Sequence, residues 1–197
     1  MYLLNSDLMK EVVFMNGRIK NDNNKLRIIA LSGPRACGKS TIAGHLQNLF
    51  GYNRVAFADA LREISATFSE DLINDRIFLA KLGAKIRFFI PDFFIQVLSR
   101  KINQTNSFIV IEDVRFSEEL DFCRTIGAIT VRLDLSKEKQ ILNLGERGLS
   151  LQEALKVIEC NDEKILDNSA NWDYVIPAIG NFEDVAAEIN SLLGEIR

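Results

Sequence analysis

With 197 residues, of which 47% are hydrophobic and 26% charged, the chain can form one globular domain with its own core. No apolar run reaches the roughly 18 residues that a membrane span requires, so we predict no membrane association. The net charge of −3 argues against a broad surface for nucleic acid but leaves room for a local basic pocket.

Residues 1–25 differ from the rest of the chain because they are rich in asparagine. We predict an N-terminal extension, either a hairpin about Asn16 and Gly17 or a disordered tail. The N-terminus lacks a signal-peptide pattern. The three cysteines, at positions 37, 123 and 160, are odd in number and scattered, which indicates a reducing compartment such as the cytoplasm.

Residues 33–41 fit the phosphate-binding pattern G-x-x-x-x-G-K-[ST]. In such a loop Lys39 reaches the β- and γ-phosphates of a nucleoside triphosphate, and Ser40 offers its hydroxyl to Mg²⁺. The remaining loop positions, whose backbone N–H groups turn toward the phosphates, are Gly33, Arg35, Ala36, Cys37, Gly38 and Thr41. An apolar run at 26–32 precedes the loop and a helical pattern follows it, as the motif requires.

Further along the chain, short apolar runs alternate with helical patterns. The predicted strands are 26–32, 53–58, 107–113, 128–134 and 172–177. A last helix is marked by an apolar stripe from Phe182 to Ile196. Because strands and helices alternate, we predict an α/β fold of three layers, with a five-stranded parallel sheet between helices.

Two connections are much longer than a crossover helix needs. Segment 58–106 contains only helical patterns, and segment 135–171 contains two helices around a turn near Gly145 and Gly148. Ligands of such folds bind at the carboxyl ends of the strands, where both insertions begin. We therefore predict a helical arm that binds the acceptor and a short mobile lid.

Asp113 ends an apolar strand beside the phosphate-binding loop, where a carboxylate on the magnesium side is expected. An acid at a helix N-terminus or on the surface is the alternative. Arg115 follows at the same edge and can clamp a phosphate with two hydrogen bonds. Alternatively, Arg115 forms a surface ion pair with Glu118 or Glu119.

Other charged residues occupy the arm and the lid. Asp59 either N-caps the next helix or contacts substrate, and Arg62 one turn later can reach an acceptor phosphate. Arg87 has apolar neighbours and needs a fixed partner, which is a bound phosphate or a carboxylate such as Asp92. Arg147 in the lid turn either closes on the transferring phosphoryl group or is a solvated charge.

The sequence offers no Ser/His/Asp set and no paired cysteines, and its one histidine, His45, lies on the helix after the loop. A phosphate acceptor is already ionised near pH 7, so its phosphorylation needs positioning and positive charge rather than a general base. The arginines therefore favour a phosphate acceptor over an alcohol.

Three segments beyond the phosphate-binding loop carry a family resemblance. Residues 57–62 read F-A-D-A-L-R, which is similar to the family motif F-A-D-P-L-K. Residues 82–95 contain L-G followed by Arg87, similar to L-G-T-x-x-x-R, and then P-D-F-F-I, similar to D-P-D-x-W-V. The most specific segment, 113–119, reads D-V-R-F-S-E-E and resembles D-V-R-F-P-N-E. Over about 26–195 the chain thus resembles the phage-type deoxynucleoside monophosphate kinases, a family of P-loop nucleotide kinases.

This resemblance implies a kinase domain at 26–197 that uses ATP and Mg²⁺ to phosphorylate a deoxynucleoside 5′-monophosphate. The implied partner is a small nucleotide, neither a membrane nor a nucleic acid; a homodimer is left open. The implied location is the cytoplasm, or the host cytoplasm if a phage encodes the chain.

The catalytic candidates are Lys39, Arg87, Arg115 and Arg147. The substrate-binding candidates are Asp59, Arg62, Arg87, Asp92 and Arg115. The metal-binding candidates are Ser40 and Asp113.

Two rival functions remain at this stage. One is a P-loop kinase that phosphorylates a hydroxyl, such as that of dephospho-coenzyme A or of a modified base in DNA, with Asp59 as general base. The other is a non-catalytic nucleotide-binding protein, because Phe94 stands where the family has tryptophan and Cys160 where it often has histidine.

Overall fold

The computed structural model describes residues 28–105, 107–159, 166, 171–178 and 182–195. The predicted extension at 1–25 lies outside these ranges. The strands are β1 (Ile28–Ser32), β2 (Asn53–Val55), β3 (Ile109–Ile111), β4 (Ile129–Asp134) and β5 (Tyr174–Pro177). All pair in parallel, in the order β2-β3-β1-β4-β5, which confirms the predicted five-stranded parallel sheet.

Helices connect the strands and cover both faces of the sheet. They are α1 (Lys39–Phe50), α2 (Asp59–Ala66), a 3₁₀ helix (Glu70–Ile73), α3 (Arg76–Phe89), α4 (Phe93–Asn103), α5 (Ser117–Thr125), α6 (Lys137–Glu146), α7 (Leu151–Ile158) and α8 (Phe182–Glu195). In the predicted arm the chain forms α2, the 3₁₀ helix, α3 and α4, which we call the helical arm. In the predicted lid region it forms the pair α6 and α7.

The strand β1 lies at the centre of the sheet and is buried on both faces, as its continuous apolar sequence predicts. Ile28 and Ala30 pack on one side, in a core shared with α2, α4 and α5. Ile29 and Leu31 pack on the other side, in a core shared with α1 and α8. The predicted three-layer arrangement of helices, sheet and helices is thus confirmed.

The strands β2 and β3 are shorter than the predicted 53–58 and 107–113. Strand β2 ends at Val55 because the chain turns at Ala56, whose carbonyl accepts a hydrogen bond from the N–H of Asp59 at 3.2 Å. Strand β3 ends at Ile111, and the next two residues carry carboxylates that hold neighbouring segments instead of continuing a regular strand. These irregular strand ends form the edge where the site lies.

Two smaller expectations can also be compared with the structure. Cys37 and Cys123 are buried and not joined in a disulfide. Cys160 lies outside the described residues. Among the helices that the structure describes, none is long and apolar enough to cross a membrane.

Candidate active site

A cavity of about 690 Å³ opens at the carboxyl ends of β1 and β3. Its wall combines the phosphate-binding loop, the helical arm, the segment after β3 and the turn that follows α6. The lining cations are Lys39, Arg35, Arg62, Arg87, Arg115 and Arg147. The lining carboxylates are Glu112, Asp113 and Glu119. Cations therefore outnumber acids two to one in this wall, which suits an anionic ligand such as a phosphate.

The loop at 33–41 has the compact backbone that its sequence predicts. Gly33 and Gly38 have φ angles of 136° and 97°, in the region that favours glycine. A Cβ on Gly33 would lie 2.3 Å from the carbonyl oxygen of Leu133, so the loop passes too close to β4 for a side chain. Gly38 is the N-cap of α1, which makes the positive end of this helix part of the cavity wall.

The ammonium group of Lys39 lies within this loop. Its Nζ donates hydrogen bonds to the carbonyl oxygens of Gly33 at 2.6 Å and Pro34 at 2.8 Å, and lies 3.6 Å from the Sγ of Cys37. The hydroxyl-bearing residues Ser40 and Thr41 belong to the first turn of α1 and line the cavity. The loop therefore gathers a cation, a helix N-terminus and a hydroxyl, the groups needed to bind a triphosphate.

The loop is also in contact with the α6–α7 pair. Ala36, at a φ of 62°, packs against Leu144, Ala154 and Ile158 in a small separate core. The side-chain amide of Asn143 donates a hydrogen bond to the carbonyl oxygen of Ala36 at 2.9 Å. The pair α6 and α7 thus rests directly on the phosphate-binding loop.

Asp113, predicted as a metal ligand, has both carboxylate oxygens engaged by the turn after β2. They accept hydrogen bonds from the backbone N–H groups of Phe57 at 2.7 Å and Ala58 at 2.9 Å. Burial raises the pKa of Asp113 above its usual value, and the N–H groups of Ala58 and Phe57 oppose this shift. The carboxylate thereby ties the end of β3 to the start of the helical arm.

Glu112, the preceding residue, was not among the sequence-derived candidates. One of its oxygens, Oε1, accepts a hydrogen bond from Arg54 at 2.6 Å. The other, Oε2, is buried and accepts no hydrogen bond from the described part of the chain. Glu112 follows Val110 by two residues, and Val110 packs in the core shared with α1, so this side chain projects toward the face of the phosphate-binding helix.

Arg87 is held by an acid and two aromatic rings. Its Nη2 lies 2.6 Å from the Oε1 of Glu119, and its Cζ lies 4.3 Å from the ring centre of Phe94 and 3.8 Å from that of Phe116. Sequence reasoning offered a phosphate or Asp92 as its partner; Asp92 instead accepts a hydrogen bond from Gln96 at 2.9 Å. The fixed internal partner is therefore Glu119.

Burial raises the pKa of Glu119 to about 7, against the lowering effect of Arg87. Its second oxygen, Oε2, accepts hydrogen bonds from the backbone N–H groups of Arg115 at 2.9 Å and Phe116 at 3.2 Å. Glu119 is the third residue of α5, and Phe116 at its N-cap has no side-chain acceptor. The acid therefore caps this helix as well as binding Arg87.

Asp59 differs from one sequence expectation. It is the first residue of α2 and not its N-cap, which is Ala58. Its carboxylate turns back to accept the N–H of Ala56 at 3.0 Å and contacts Arg62 at 3.2 Å. A residue that is already inside the helix can stabilise its N-terminus by charge but not by capping.

The structure brings most of the predicted site residues into one cavity. Those that line it are Arg35, Ala36, Gly38, Lys39, Ser40, Thr41, Arg62, Arg87, Asp113, Arg115 and Arg147. Gly33, Cys37, Asp59 and Asp92 are not part of this described wall. The acids that sequence reasoning missed as site residues, Glu112 and Glu119, do line it.

Comparisons with known proteins identify the fold. No protein-family profile and no curated protein sequence matches the chain. The solved structure of TT1252 from Thermus thermophilus is similar, with a TM-score of 0.60 at 20% identity, over 87% of this chain and 98% of that one. The shikimate kinase from Aquifex aeolicus gives a TM-score of 0.52 at 18% identity, over 86% and 98% of the two chains.

A second shikimate kinase, from Bacteroides thetaiotaomicron, gives a TM-score of 0.51 at 12% identity, over 85% of this chain and 98% of that one. At these identities the similarity concerns the fold. The chain thus has the α/β fold of the P-loop kinases, with a phosphate-binding loop of the expected backbone form.

Proposed function

We propose that the chain transfers the γ-phosphoryl group of ATP to the phosphate of a deoxynucleoside 5′-monophosphate. The observation that carries this proposal is the wall of the cavity, which Lys39 of the loop shares with three arginines of the helical arm and of the segment after β3, namely Arg62, Arg87 and Arg115. One set of cations suits the triphosphate donor, and the other suits a second phosphate. Transfer between two phosphates depends mainly on such positioning and charge.

The apolar part of the cavity wall supports a nucleotide, with its flat base, as the acceptor. The arm lines the cavity with apolar side chains, among them Leu61, Leu79 and Phe94. Apolar walls with a few convergent charged groups are typical of sites for small aromatic ligands. The motifs at 57–62, 82–95 and 113–119, which resemble the phage-type deoxynucleoside monophosphate kinases, lie in this wall or next to it.

The residues present also fit a magnesium ion. Ser40 brings a hydroxyl to the cavity, and Glu112 brings a buried oxygen that lacks a hydrogen-bond donor among the described residues. Hydroxyl and carboxylate oxygens are the ligands that Mg²⁺ takes in proteins. We infer that Ser40 and Glu112 hold the ion, whereas both oxygens of Asp113, the ligand expected from the sequence, already accept backbone N–H groups. When bound, the ion would neutralise charge on the donor phosphates.

The remaining cations have separate tasks in this proposal. Lys39 binds the donor phosphates, and Arg147, in the turn after α6, approaches the transferring group when α6 and α7 move toward the arm. Arg62, Arg87 and Arg115 orient the acceptor phosphate in line with the donor. Asp59 and Asp92 contribute through their neighbours Arg62 and Gln96.

A hydroxyl acceptor is the less favoured alternative. It would need Asp59 as a general base, and this carboxylate is not part of the described cavity wall. Its two oxygens already contact Ala56 and Arg62. A phosphate acceptor requires no such base.

The test is a panel of acceptors incubated with purified protein, ATP and Mg²⁺. The panel contains the deoxynucleoside and ribonucleoside monophosphates, with shikimate and dephospho-coenzyme A as hydroxyl acceptors. We expect ADP and a diphosphate product from at least one deoxynucleotide, and no product from the Lys39→Met variant. If only a hydroxyl compound is phosphorylated, or none of the panel is, the proposal is wrong.

A further inference from the structure

A buried carboxylate joins two of the three arginines that we assign to the acceptor phosphate, Arg87 and Arg115. Glu119 is 2% exposed and contacts segments that are far apart in the sequence. Its Oε1 lies 2.6 Å from Arg87 in the helical arm, and its Oε2 accepts the backbone N–H groups of Arg115 and Phe116 after β3. A single side chain thus fixes one arginine directly and the backbone of another.

The surroundings of Arg87 leave its guanidinium few other orientations. Its Cζ lies over the ring of Phe94 at 4.3 Å and over the ring of Phe116 at 3.8 Å from the ring centres. A Cβ on Gly83 would lie 3.3 Å from Nη1, so the neighbouring turn of α3 is also close. Contact with the two rings and the bond to Glu119 together restrict the orientations of the group.

We propose that Glu119 is a positioning residue, which holds Arg87 and the turn bearing Arg115 in the orientation that binds the acceptor phosphate. This inference rests on the proposed function. Arg87 is 22% exposed and lines the cavity, so its remaining N–H groups can reach a ligand while Nη2 is bound. Glu119 itself touches no substrate.

The arrangement predicts an effect confined to one substrate. Glu119 contacts the arm and the segment after β3, and within the described part of the chain none of its hydrogen bonds reaches the phosphate-binding loop. Loss of its charge should therefore weaken binding of the acceptor but not of ATP. A general defect in folding would instead lower the active fraction and leave both KM values unchanged.

The informative variant is Glu119→Gln. A glutamine carbonyl can still accept the N–H groups of Arg115 and Phe116, but its NH₂ group cannot accept a hydrogen bond from Arg87. Glu118→Gln is the matched control, because Glu118 is the exposed neighbour on the same helix and loses the same charge. Glu119→Asp provides a second variant, which keeps the charge but is too short to reach both partners.

In steady-state kinetics at pH 8, above the pKa of about 7 of Glu119, we expect Glu119→Gln to raise the KM for the deoxynucleotide by about tenfold or more, as for loss of a charge-assisted hydrogen bond. The KM for ATP should change by less than about twofold, and Glu119→Asp should shift in the same direction. Glu118→Gln should match the wild type. A folded Glu119→Gln protein with an unchanged acceptor KM would overturn the inference.

A second measurement decides the inference even if no deoxynucleotide is a substrate. The Nε–H signal of Arg87 in NMR spectra, assigned by its loss in Arg87→Lys, should be sharp in the wild type and in Glu118→Gln. It should broaden or disappear in Glu119→Gln because the guanidinium can then rotate. If it stays sharp, Glu119 does not position Arg87, whatever the acceptor is.

Discussion

The adjacent carboxylates Glu112 and Asp113 have different partners, although one peptide bond separates them. Asp113 accepts two backbone N–H groups from the turn after β2. Glu112 pairs with Arg54 through one oxygen only, and its other oxygen is buried in the site. Successive residues of an extended segment project to opposite faces, which explains why one acid is structural and the other faces the phosphate-binding helix.

This difference predicts that conservative substitutions of the two acids affect different properties: metal binding for Glu112 and stability for Asp113. Glu112→Gln should raise the Mg²⁺ concentration that half-maximal ATP binding requires by about tenfold or more, because a carboxylate ligand is lost. Calorimetric titration of the protein with ATP at several Mg²⁺ concentrations measures this effect without any turnover.

Asp113→Asn is the contrasting variant, whose stability is measured by chemical unfolding and whose ATP binding is measured by the same titration. We expect it to lower the free energy of unfolding by about 1–3 kcal/mol, because its NH₂ group would face a backbone N–H of Phe57 or Ala58. The Mg²⁺ dependence of ATP binding should stay near that of the wild type. If Asp113→Asn abolishes that dependence and Glu112→Gln does not, Asp113 is the principal metal ligand.

The raised pKa of Glu119 has a consequence for stability. The pKa is about 7 in the folded protein and 4.5 for an unperturbed glutamate. Between these values the folded state keeps a proton that the unfolded state has released. The contribution of Glu119 to the free energy of unfolding is therefore fully present below about pH 4.5 and declines as the pH rises through about 7.

Chemical unfolding at pH 5 and at pH 8 measures this contribution. Glu119→Gln should lose less stability than the wild type between the two pH values, by up to a few kcal/mol. Asp113, whose pKa burial also raises, contributes in the same direction in both proteins and cancels in the comparison. Equal losses in wild type and variant would show that Glu119 does not titrate in this range.

At the scale of elements, the contact between α6 and the phosphate-binding loop stands out. Asn143 donates to the carbonyl oxygen of Ala36, and Leu144 packs against Ala36 in the same small core. Since the loop backbone binds the donor in our proposal, any movement of α6 and α7 acts on the donor side first.

Removing this hydrogen bond should loosen the helix pair. We expect Asn143→Ala to speed hydrogen exchange in α6 and α7 and to weaken ATP binding by about fivefold, the equivalent of one hydrogen bond of about 1 kcal/mol. Leu142→Ala, which truncates an exposed residue on the same helix, is the control. Unchanged exchange in Asn143→Ala would mean that the small apolar core alone holds the pair.

For the whole molecule, ligand binding should be visible as stabilisation. A ligand at about 100 times its Kd adds about 2.7 kcal/mol, which raises the Tm of a domain of this size by roughly 5–10 °C. We expect MgATP to produce such a shift in a thermal unfolding scan and Lys39→Met to abolish it. A full shift in Lys39→Met would argue against the loop as the donor site.

The sheet and the donor loop could be predicted from sequence because their signals are local. A central parallel strand such as Ile28–Ser32 reads as a continuous apolar run, and the loop at 33–41 carries its glycines and lysine in one motif. Three arginines that line the cavity, Arg62, Arg87 and Arg115, were predicted individually, from short motifs at 57–62, 82–95 and 113–119.

The partners of these arginines could not be predicted in the same way. Arg87 pairs with Glu119, 32 residues further along, and Arg54 pairs with Glu112, 58 residues further along. No periodicity within one element specifies such contacts, because they depend on how the arm packs on the segment after β3. The motif resemblance included Glu119, but only the structure shows what its carboxylate binds.

The order of the strands also has a consequence for how the protein is made. Strand β1 pairs with β3 and β4, so Ile28 finds its partner only at Ile109 in β3, and Ile29 finds its partner in β4 only at Ile129. During synthesis, the strand that carries the phosphate-binding loop therefore stays unpaired until about 80 further residues have been translated. Assembly of the loop should be a late step, and its folding slow compared with that of local helices.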